Sequence, residues 1–295
     1  MKPTIRQLEY IVAVAEHMSF SEAARRCHVS QPGLSAQIRQ VEETLKVHIF
    51  ERDRRHVFVT PGGEVIVRRA RRVLAETQEL VSTAESFEDE ALVGTLRMGV
   101  IPTVAPYLLP QGLPRIRKQY PQLRLLLYEG QTHDIVARLQ NGSLDLLLLA
   151  LEAELGRAET HALFRDEFVL ALPSGHALSK KKRVGDADLA TDEILLLDDG
   201  HCLRDQAMPV CRRARAREVD DFRAGSLPTL AQMVASGLGM TLLPRIAIPI
   251  EAGRGAGLVT RPFRAPAPFR TIGLAWRPSA AKKQQFVNLG KLMRP

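Results

Sequence analysis

Two cysteines, Cys202 and Cys211, stand nine positions apart in Asp199-Gly-His-Cys-Leu-Arg-Asp-Gln-Ala-Met-Pro-Val-Cys211. Sulfur reacts as thiolate, so a redox-active member of such a pair needs neighbours that lower its pKa and an opening to solvent. Cys202 follows His201 and precedes Arg204, and Asp198-Asp199-Gly200 can set it at a helix N-terminus, where the dipole favours an anion. These features predict an exposed, ionised Cys202. Cys211 is followed by Arg212, Arg213, Arg215 and Arg217, a run that reads equally well as a solvated face. In one unbroken helix, nine steps of about 100° would put the sulfurs on opposite faces and about 13 Å apart along the axis. A disulfide needs Cα atoms within about 7 Å. Pro209 predicts instead a short helix followed by a loop, so a bridge requires local refolding unless that loop already brings the sulfurs together. Residue types alone also leave a plainer reading open, in which both cysteines are inert small hydrophobes.

The chain has room to position such a pair. Its 295 residues suit two or three domains, and 45% hydrophobic with 25% charged residues is ordinary for a globular protein. No run approaches the roughly 18 apolar residues of a membrane span, and the longest, Leu146 to Leu151, is strand-sized. Glu9 and Glu16 interrupt the apolar patch nearest the N-terminus, which argues against a secretory signal and for a reducing cytoplasm. Three cysteines there point away from a permanent disulfide framework and towards transient or sensory chemistry. A net charge of +8 favours an anionic partner, although the acids concentrated between Glu76 and Glu90 show that charge alone does not locate its site.

Patterning divides the chain into 1–60, 61–92 and 93–295. The first part reads as short helices and a charged hairpin, closed by Thr60-Pro61-Gly62-Gly63. Beyond it, Ile66, Ala70, Val73, Thr77, Leu80, Ala84 and Phe87 alternate steps of four and three, a heptad seam narrow enough to want a partner helix. The plainer alternative is an amphipathic helix packed on its own domain. From residue 93 onward, strand-like runs alternate with helix-like ones: Leu96 to Ile101, Leu123 to Tyr128, Asp145 to Ala150, Phe168 to Pro173, Ile194 to Leu197, Met240 to Leu243 and Ile272 to Trp276. The fold class expected is α/β, with parallel sheets covered by helices. Two subdomains are expected, 93–166 with 269–295 and 167–268, with a ligand site in the cleft between them.

The segment Ser19 to Ile38 contains two helix starts separated by a tight turn. Ser30 is a good N-cap, Pro32 falls where a missing N–H costs nothing, and Leu34, Ile38, Val41 and Leu45 form one inward stripe. That orientation leaves Gln31, Pro32, Ser35, Ala36 and Arg39 to face a DNA groove, with Arg52, Arg54 and Arg55 in the following hairpin for phosphate or minor-groove contact. An ordinary three-helix bundle with a solvated polar face is the competing reading. Cys27, in the first helix of this pattern beside Val29, reads as core.

Particular residues carry a resemblance. Ala23-Ala24-Arg25, Ser30-Gln31-Pro32, Leu34-Ser35, Gln37-Ile38, Glu42, Phe50-Glu51-Arg52 and Thr60-Pro61-Gly62-Gly63 resemble the winged helix-turn-helix of LysR-type transcriptional regulators, over residues 4 to about 90. Lys46 departs from the glycine usual there, which puts the turn before the wing in question. Gly200 to Met208 followed by Cys211 resembles the regulatory loop of the family's hydrogen-peroxide-sensing branch. Ile101 to Pro110, Gln131-Thr132-His133, Ser226-Leu227 with Thr229-Leu230, and Arg270 to Leu274 extend that likeness to essentially the whole chain. Pro209 departs from the pattern, and the sequence stops at Pro295 where members often carry a tail.

The resemblance implies a winged helix-turn-helix, a long linker helix and a two-subdomain, periplasmic-binding-protein-like regulatory domain. It implies double-stranded promoter DNA and hydrogen peroxide as partners, a homodimer through the linker helix and commonly a homotetramer, with RNA polymerase a candidate partner. No cofactor, metal or membrane is implied. Cys202 would be the peroxidatic and Cys211 the resolving cysteine, with Thr103, Thr132, His201 and Arg270 orienting peroxide; each of these has a plain alternative as a helix cap or surface ion-pair partner. A regulator that binds a small carboxylate through Thr103 and Thr132, with passive cysteines, is the main alternative. A thiol peroxidase enzyme would need a reductant-docking surface, and a zinc site on Cys202, Cys211 and His201 lacks a fourth ligand.

Overall fold

The chain is described here from a computed structural model, which covers residues 2–52, 56–86, 92–190, 192–253 and 255–295. Arg54, Arg55 and Phe87, which the sequence singled out, lie outside the described residues, as do the side chains of Arg52 and Ala84. Two compact units are present. The first comprises Met1–Glu88 with Gln140–Ser143, the second Asp89–Leu139 and Leu144–Pro295.

In the first unit, helices α1 (Ile5–His17), α2 (Phe20–Arg26) and α3 (Gln31–Leu45) precede a hairpin of β1 (Phe50–Arg52) and β2 (Val57–Val59) and the 26-residue α4 (Pro61–Ser86). Each of the first three starts on a hydroxyl cap: Thr4 accepts from Gln7 N and Gln7 returns a bond to Thr4 N, Ser19 accepts from Glu22 N, and Ser30 from Gly33 N. These caps satisfy backbone donors that a helix cannot satisfy itself. Ile11, Val14, Leu34 and Ile38 are fully buried in the common core, and Phe20 meets Phe50 edge to face at 5.7 Å. Glu42 accepts from Ile49 N and Phe50 N at 2.7 and 3.1 Å, so its carboxylate fixes the entry to the hairpin. Gly63 permits that strand to lie close to α4, because a Cβ there would stand 2.1 Å from Ile49 O.

Lys46 ends α3 at φ 54, in the left-handed conformation that glycine adopts without cost. The turn keeps its shape despite the lysine. Cys27 is the half-buried C-cap of α2 rather than a residue of the first helix, and burial raises its pKa. The heptad seam divides: Ile66 packs half-buried on the first unit's own core and Ala70 is buried, while Val73 and Leu80 are exposed, Leu80 by 71%. One stripe therefore serves two purposes along α4.

The second unit runs β3 (Gly94–Val100), α5 (Ala105–Gln119), β4 (Leu123–Glu129), α6 (Thr132–Gln140), β5 (Leu146–Ala150) and β6 (Glu159–Pro173). It continues through α7 (Asp186–Leu189), β7 (Glu193–Leu197), α8 (Cys202–Ala214), β8 (Arg217–Ala224), α9 (Leu227–Ala235) and β9 (Thr241–Pro244). α10 (Ile248–Glu251), β10 (Leu258–Pro262), β11 (Phe269–Trp276) and α11 (Lys283–Lys291) complete it. Strands β3, β4 and β5 are parallel, as expected, but β11 is antiparallel to both β5 and β6, so the sheet is mixed. The 15-residue β6 explains why. Residues 159–167 of it pair with β11, and 168–173 pair with β9 and β10. One strand thus joins two hydrophobic cores, one built on β3, β5 and β11, the other on β6, β7, α8 and α9. The sequence reading missed β8, β10 and the first half of β6, whose polar residues interrupt the apolar pattern.

Candidate functional site

Helix α8 carries both cysteines. The expected break at Pro209 does not occur: the helix is continuous from Cys202 to Ala214 with the proline inside it. Leu203, Ala207, Val210 and Ala214 are buried along its length, and that burial outweighs the one backbone bond an interior proline forgoes. The two sulfurs therefore lie on opposite faces of one helix. Cys202 belongs to the first core and Cys211 to the second, and both are free thiols.

Cys202 is also not the exposed, ionised thiol expected from its neighbours. It is 7% exposed, and burial raises its pKa. The Thr132 hydroxyl and the Arg270 charge oppose that rise, while Asp205 and Glu152 add to it. The desolvation of an anion in an apolar core is the larger effect. His201 is the buried N-cap of α8 and makes no side-chain capping bond.

Around this sulfur the structure assembles the other sequence-selected residues. Arg270, at the start of β11, is fully buried, not a surface ion-pair partner. It donates through Nε to Asp166 at 3.0 Å, through Nη1 to the Thr103 hydroxyl at 2.9 Å and through Nη2 to the Thr103 carbonyl at 3.0 Å. Thr103 itself is buried. Asp166 also accepts from Ile246 N, and burial raises its carboxyl's pKa against the pull of Arg270. Thr132 opens α6, and its buried Oγ1 acts on the Cys202 thiol but bonds to no nitrogen or oxygen among the described residues. A buried hydroxyl left in that state costs free energy unless something polar meets it. The chemistry available is a thiol held next to an uncommitted hydroxyl and a fixed cation, a combination suited to a small polar oxidant whose cleavage releases an anion.

Asp166 is the residue that sequence reasoning missed. It stands with Arg165 and Glu167 in a run of three charged residues between Phe164 and Phe168, and nothing there pointed to a partner 104 positions away. Gly200, at φ +90, holds the turn into α8; a Cβ on it would meet Gln131 Oε1 at 2.6 Å.

In the first unit, Gln31, Pro32, Ala36 and Arg39 are exposed along α3. Ser35 is not: it is buried, against the expectation that it faces a groove. It lies three residues before Ile38, so it shares the inward face of the helix.

The family model described as "Bacterial regulatory helix-turn-helix protein, lysR family" matches residues 5–64, and that described as "LysR substrate binding domain" matches residues 89–291. The chain is 46% identical to the DNA-binding transcriptional dual regulator OxyR of Escherichia coli strain K12, over 98% of this chain and 94% of that one. Among solved structures, a full-length OxyR from Pseudomonas aeruginosa with a cysteine replaced by aspartate superposes with a TM-score of 0.85 at 36% identity, covering 100% of this chain and 95% of that one. A cysteine-to-serine variant of Corynebacterium glutamicum OxyR with hydrogen peroxide bound gives 0.68 at 35% identity, covering 99% and 92%. The chain belongs to the LysR family of helix-turn-helix transcriptional regulators, in its OxyR branch.

Proposed function

We propose that this protein senses hydrogen peroxide at Cys202 and transmits the event to promoter DNA through formation of a Cys202–Cys211 disulfide. The carrying observation is the buried Thr132 hydroxyl, which acts on the Cys202 thiol and is bonded to no other group among the described residues, together with the clamped Arg270 charge that acts on the same sulfur. The Cys202 thiol gives up its proton and the thiolate attacks one peroxide oxygen: an S–O bond forms, the O–O bond breaks, and the departing hydroxide takes up the proton the thiol released and leaves as water. Sulfur is oxidised by two electrons and peroxide reduced by two. Thr132 orients the peroxide, Arg270 and His201 meet the departing anion, and Thr103 holds Arg270. The Cys211 thiolate then attacks the sulfenic sulfur, an S–S bond forms and a second hydroxide leaves. An external dithiol reductant reverses the cycle.

The continuous α8 gives this step its mechanical consequence. Sulfurs on opposite faces of a helix, in two different cores, meet only if α8 unwinds and both cores repack, which is a change large enough to move an interface. The carboxylate-binding alternative is weaker, because one of its two hydroxyls, that of Thr103, is already taken up by Arg270.

Gln31, Pro32, Ala36 and Arg39 on α3 form the base-reading face in this proposal, with Arg52, Arg54 and Arg55 in the hairpin as phosphate contacts. Val73, Leu80 and Val81, exposed on α4, form the seam with a second copy of the chain, and pairs of such dimers make the tetramer. The test is peroxide titration of the native oligomer, with mass-shift labelling of thiols and a promoter footprint. Micromolar peroxide is expected to convert two thiols to one bridge and shift the footprint, and Cys202→Ser to abolish both. Two thiols left unmodified in the native oligomer would sink the proposal.

A further inference from the structure

Arg204 and Glu218 form an ion pair that the sensing chemistry as described above does not use. Arg204 lies two residues after Cys202, inside the segment that must unwind, and its side chain is only 10% exposed. Its Nη1 and Nη2 donate to the two Glu218 oxygens at 2.7 and 3.2 Å, and Nη1 also reaches the Leu197 carbonyl at 3.4 Å. Its Nε faces Asp199 at 2.9 Å, and the other oxygen of Asp199 accepts from Arg223. The first turn of α8 is thereby tied to the end of β7, to the loop after it and to β8. A two-pronged guanidinium–carboxylate pair fixes orientation as well as distance.

The same pair acts electrostatically on the second thiol. Cys211 is buried, and the charged groups that act on it among the described residues are Glu218 and Arg204, with opposite effects: Glu218 disfavours its thiolate and Arg204 favours it. The charged groups that act most on Cys202 are different ones, Arg270, Asp205 and Glu152.

We propose that the Arg204–Glu218 pair is the gate on the resolving step, positioning α8 and Cys211 so that the Cys202 sulfenic acid persists until the pair opens. The inference rests on the proposed peroxide chemistry. Drawing the sulfurs together requires residues 203–210 to leave the helix, and Arg204 then leaves Glu218. The pair consequently sets the lifetime of the sulfenic acid without touching peroxide, and Arg204 and Glu218 are positioning residues. The covalent step is unchanged: the Cys211 thiolate displaces hydroxide from the sulfenic sulfur.

Two substitutions separate this role from a merely structural one. Glu218→Gln loosens the tether and removes the charge that opposes the Cys211 thiolate, so both effects hasten resolution. Arg204→Gln also loosens the tether but leaves Glu218 unopposed beside Cys211, so its two effects conflict. Rapid-quench trapping of the sulfenic acid with a cyclic dione, alongside mass-shift detection of the disulfide, measures the two steps separately in the full chain. For Glu218→Gln the first step is expected to stay within about twofold, and the second to quicken by about tenfold, the scale of one charge-assisted hydrogen bond. The pH profile of the second step should move to lower pH in Glu218→Gln and to higher pH in Arg204→Gln, whereas general loosening would move both alike. Glu218→Asp, which keeps the charge, should restore most of the delay. If the unsubstituted protein forms the disulfide and Glu218→Gln leaves the second step unchanged, slows it, or alters both steps equally, the gate is disproved while the sensing proposal stands. If the unsubstituted protein forms no disulfide, the sensing proposal fails first.

Discussion

The surroundings of Cys202 and Cys211 differ more than their shared helix suggests. Both thiols are buried, and burial raises both pKa values, Cys211 up to about 11. Around Cys202 the opposition comes from the Thr132 hydroxyl, bonded to no other group among the described residues, and from an arginine held rigid by Asp166 and Thr103. Around Cys211 it comes from a backbone hydrogen bond and from Arg204, which is itself held by Glu218. In the proposed chemistry the first thiol meets the reagent and the second follows it. A cysteine's readiness is therefore set by which polar groups around it are uncommitted, and not by exposure alone.

The strongest way to break this contrast is to remove the cation on one side only. Arg270→Met leaves Asp166 buried without its partner, and the loss expected in chemical unfolding is about 3–5 kcal/mol, as for other half-broken buried pairs. Oxidation of Cys202 by peroxide should slow by roughly 100-fold, the scale of losing one preorganised charge at a departing anion, while alkylation of Cys211 keeps its rate. Equal changes at both thiols would erase the distinction. Cys211 supplies the next largest effect. Its folded pKa lies above that of the unfolded thiol, so folding is favoured by the neutral form. That contribution is fully present below the unfolded thiol's pKa of about 8.5 and fades as pH rises through about 11. Unfolding between those limits should show about 3 kcal/mol of stability lost with rising pH, and Cys211→Ser should flatten that part of the curve.

Much of this was legible in the residues. The hydroxyl cap at Ser30, the stripe of Leu34, Ile38 and Val41, and the parallel strands from Leu96 to Ala150 follow from local pattern, which is sharp where one face of an element is buried. Cys202, Thr132, Thr103 and Arg270 come together as the family likeness implied. What failed depends on distant parts of the chain. Pro209 reads locally as a break, but tertiary burial on both sides of α8 keeps it helical. His201 and Arg204 read as activating neighbours of Cys202, yet His201 is buried and Arg204 turns away to Glu218. Ser35 reads as groove-facing because a hydroxyl is polar, whereas its position relative to Ile38 turns it inward. Asp166 escaped notice because its importance lies wholly in Arg270.

Between the two thiols lies Pro209, whose missing N–H leaves the Asp205 carbonyl without its usual intrahelical donor. Pro209→Ala should restore that bond and stabilise the reduced protein by about 2 kcal/mol, less than the full helix-interior penalty because the unfolded chain also gains freedom. Disulfide formation should slow and sulfenic acid formation should not. The smallest and sharpest test is Thr132→Val, which exchanges a hydroxyl for a methyl at nearly constant volume. Its Oγ1 bonds to no nitrogen or oxygen among the described residues, so stability should hold or rise slightly. The Cys202 thiolate and the peroxide both lose a polar neighbour, so peroxide oxidation of Cys202 should fall by about tenfold, the worth of one ordinary hydrogen bond. Cys211 sees neither change. A variant that melts lower and oxidises normally would mean that Thr132 serves the fold after all, and that the polarity around the first thiol is no more purposeful than that around the second.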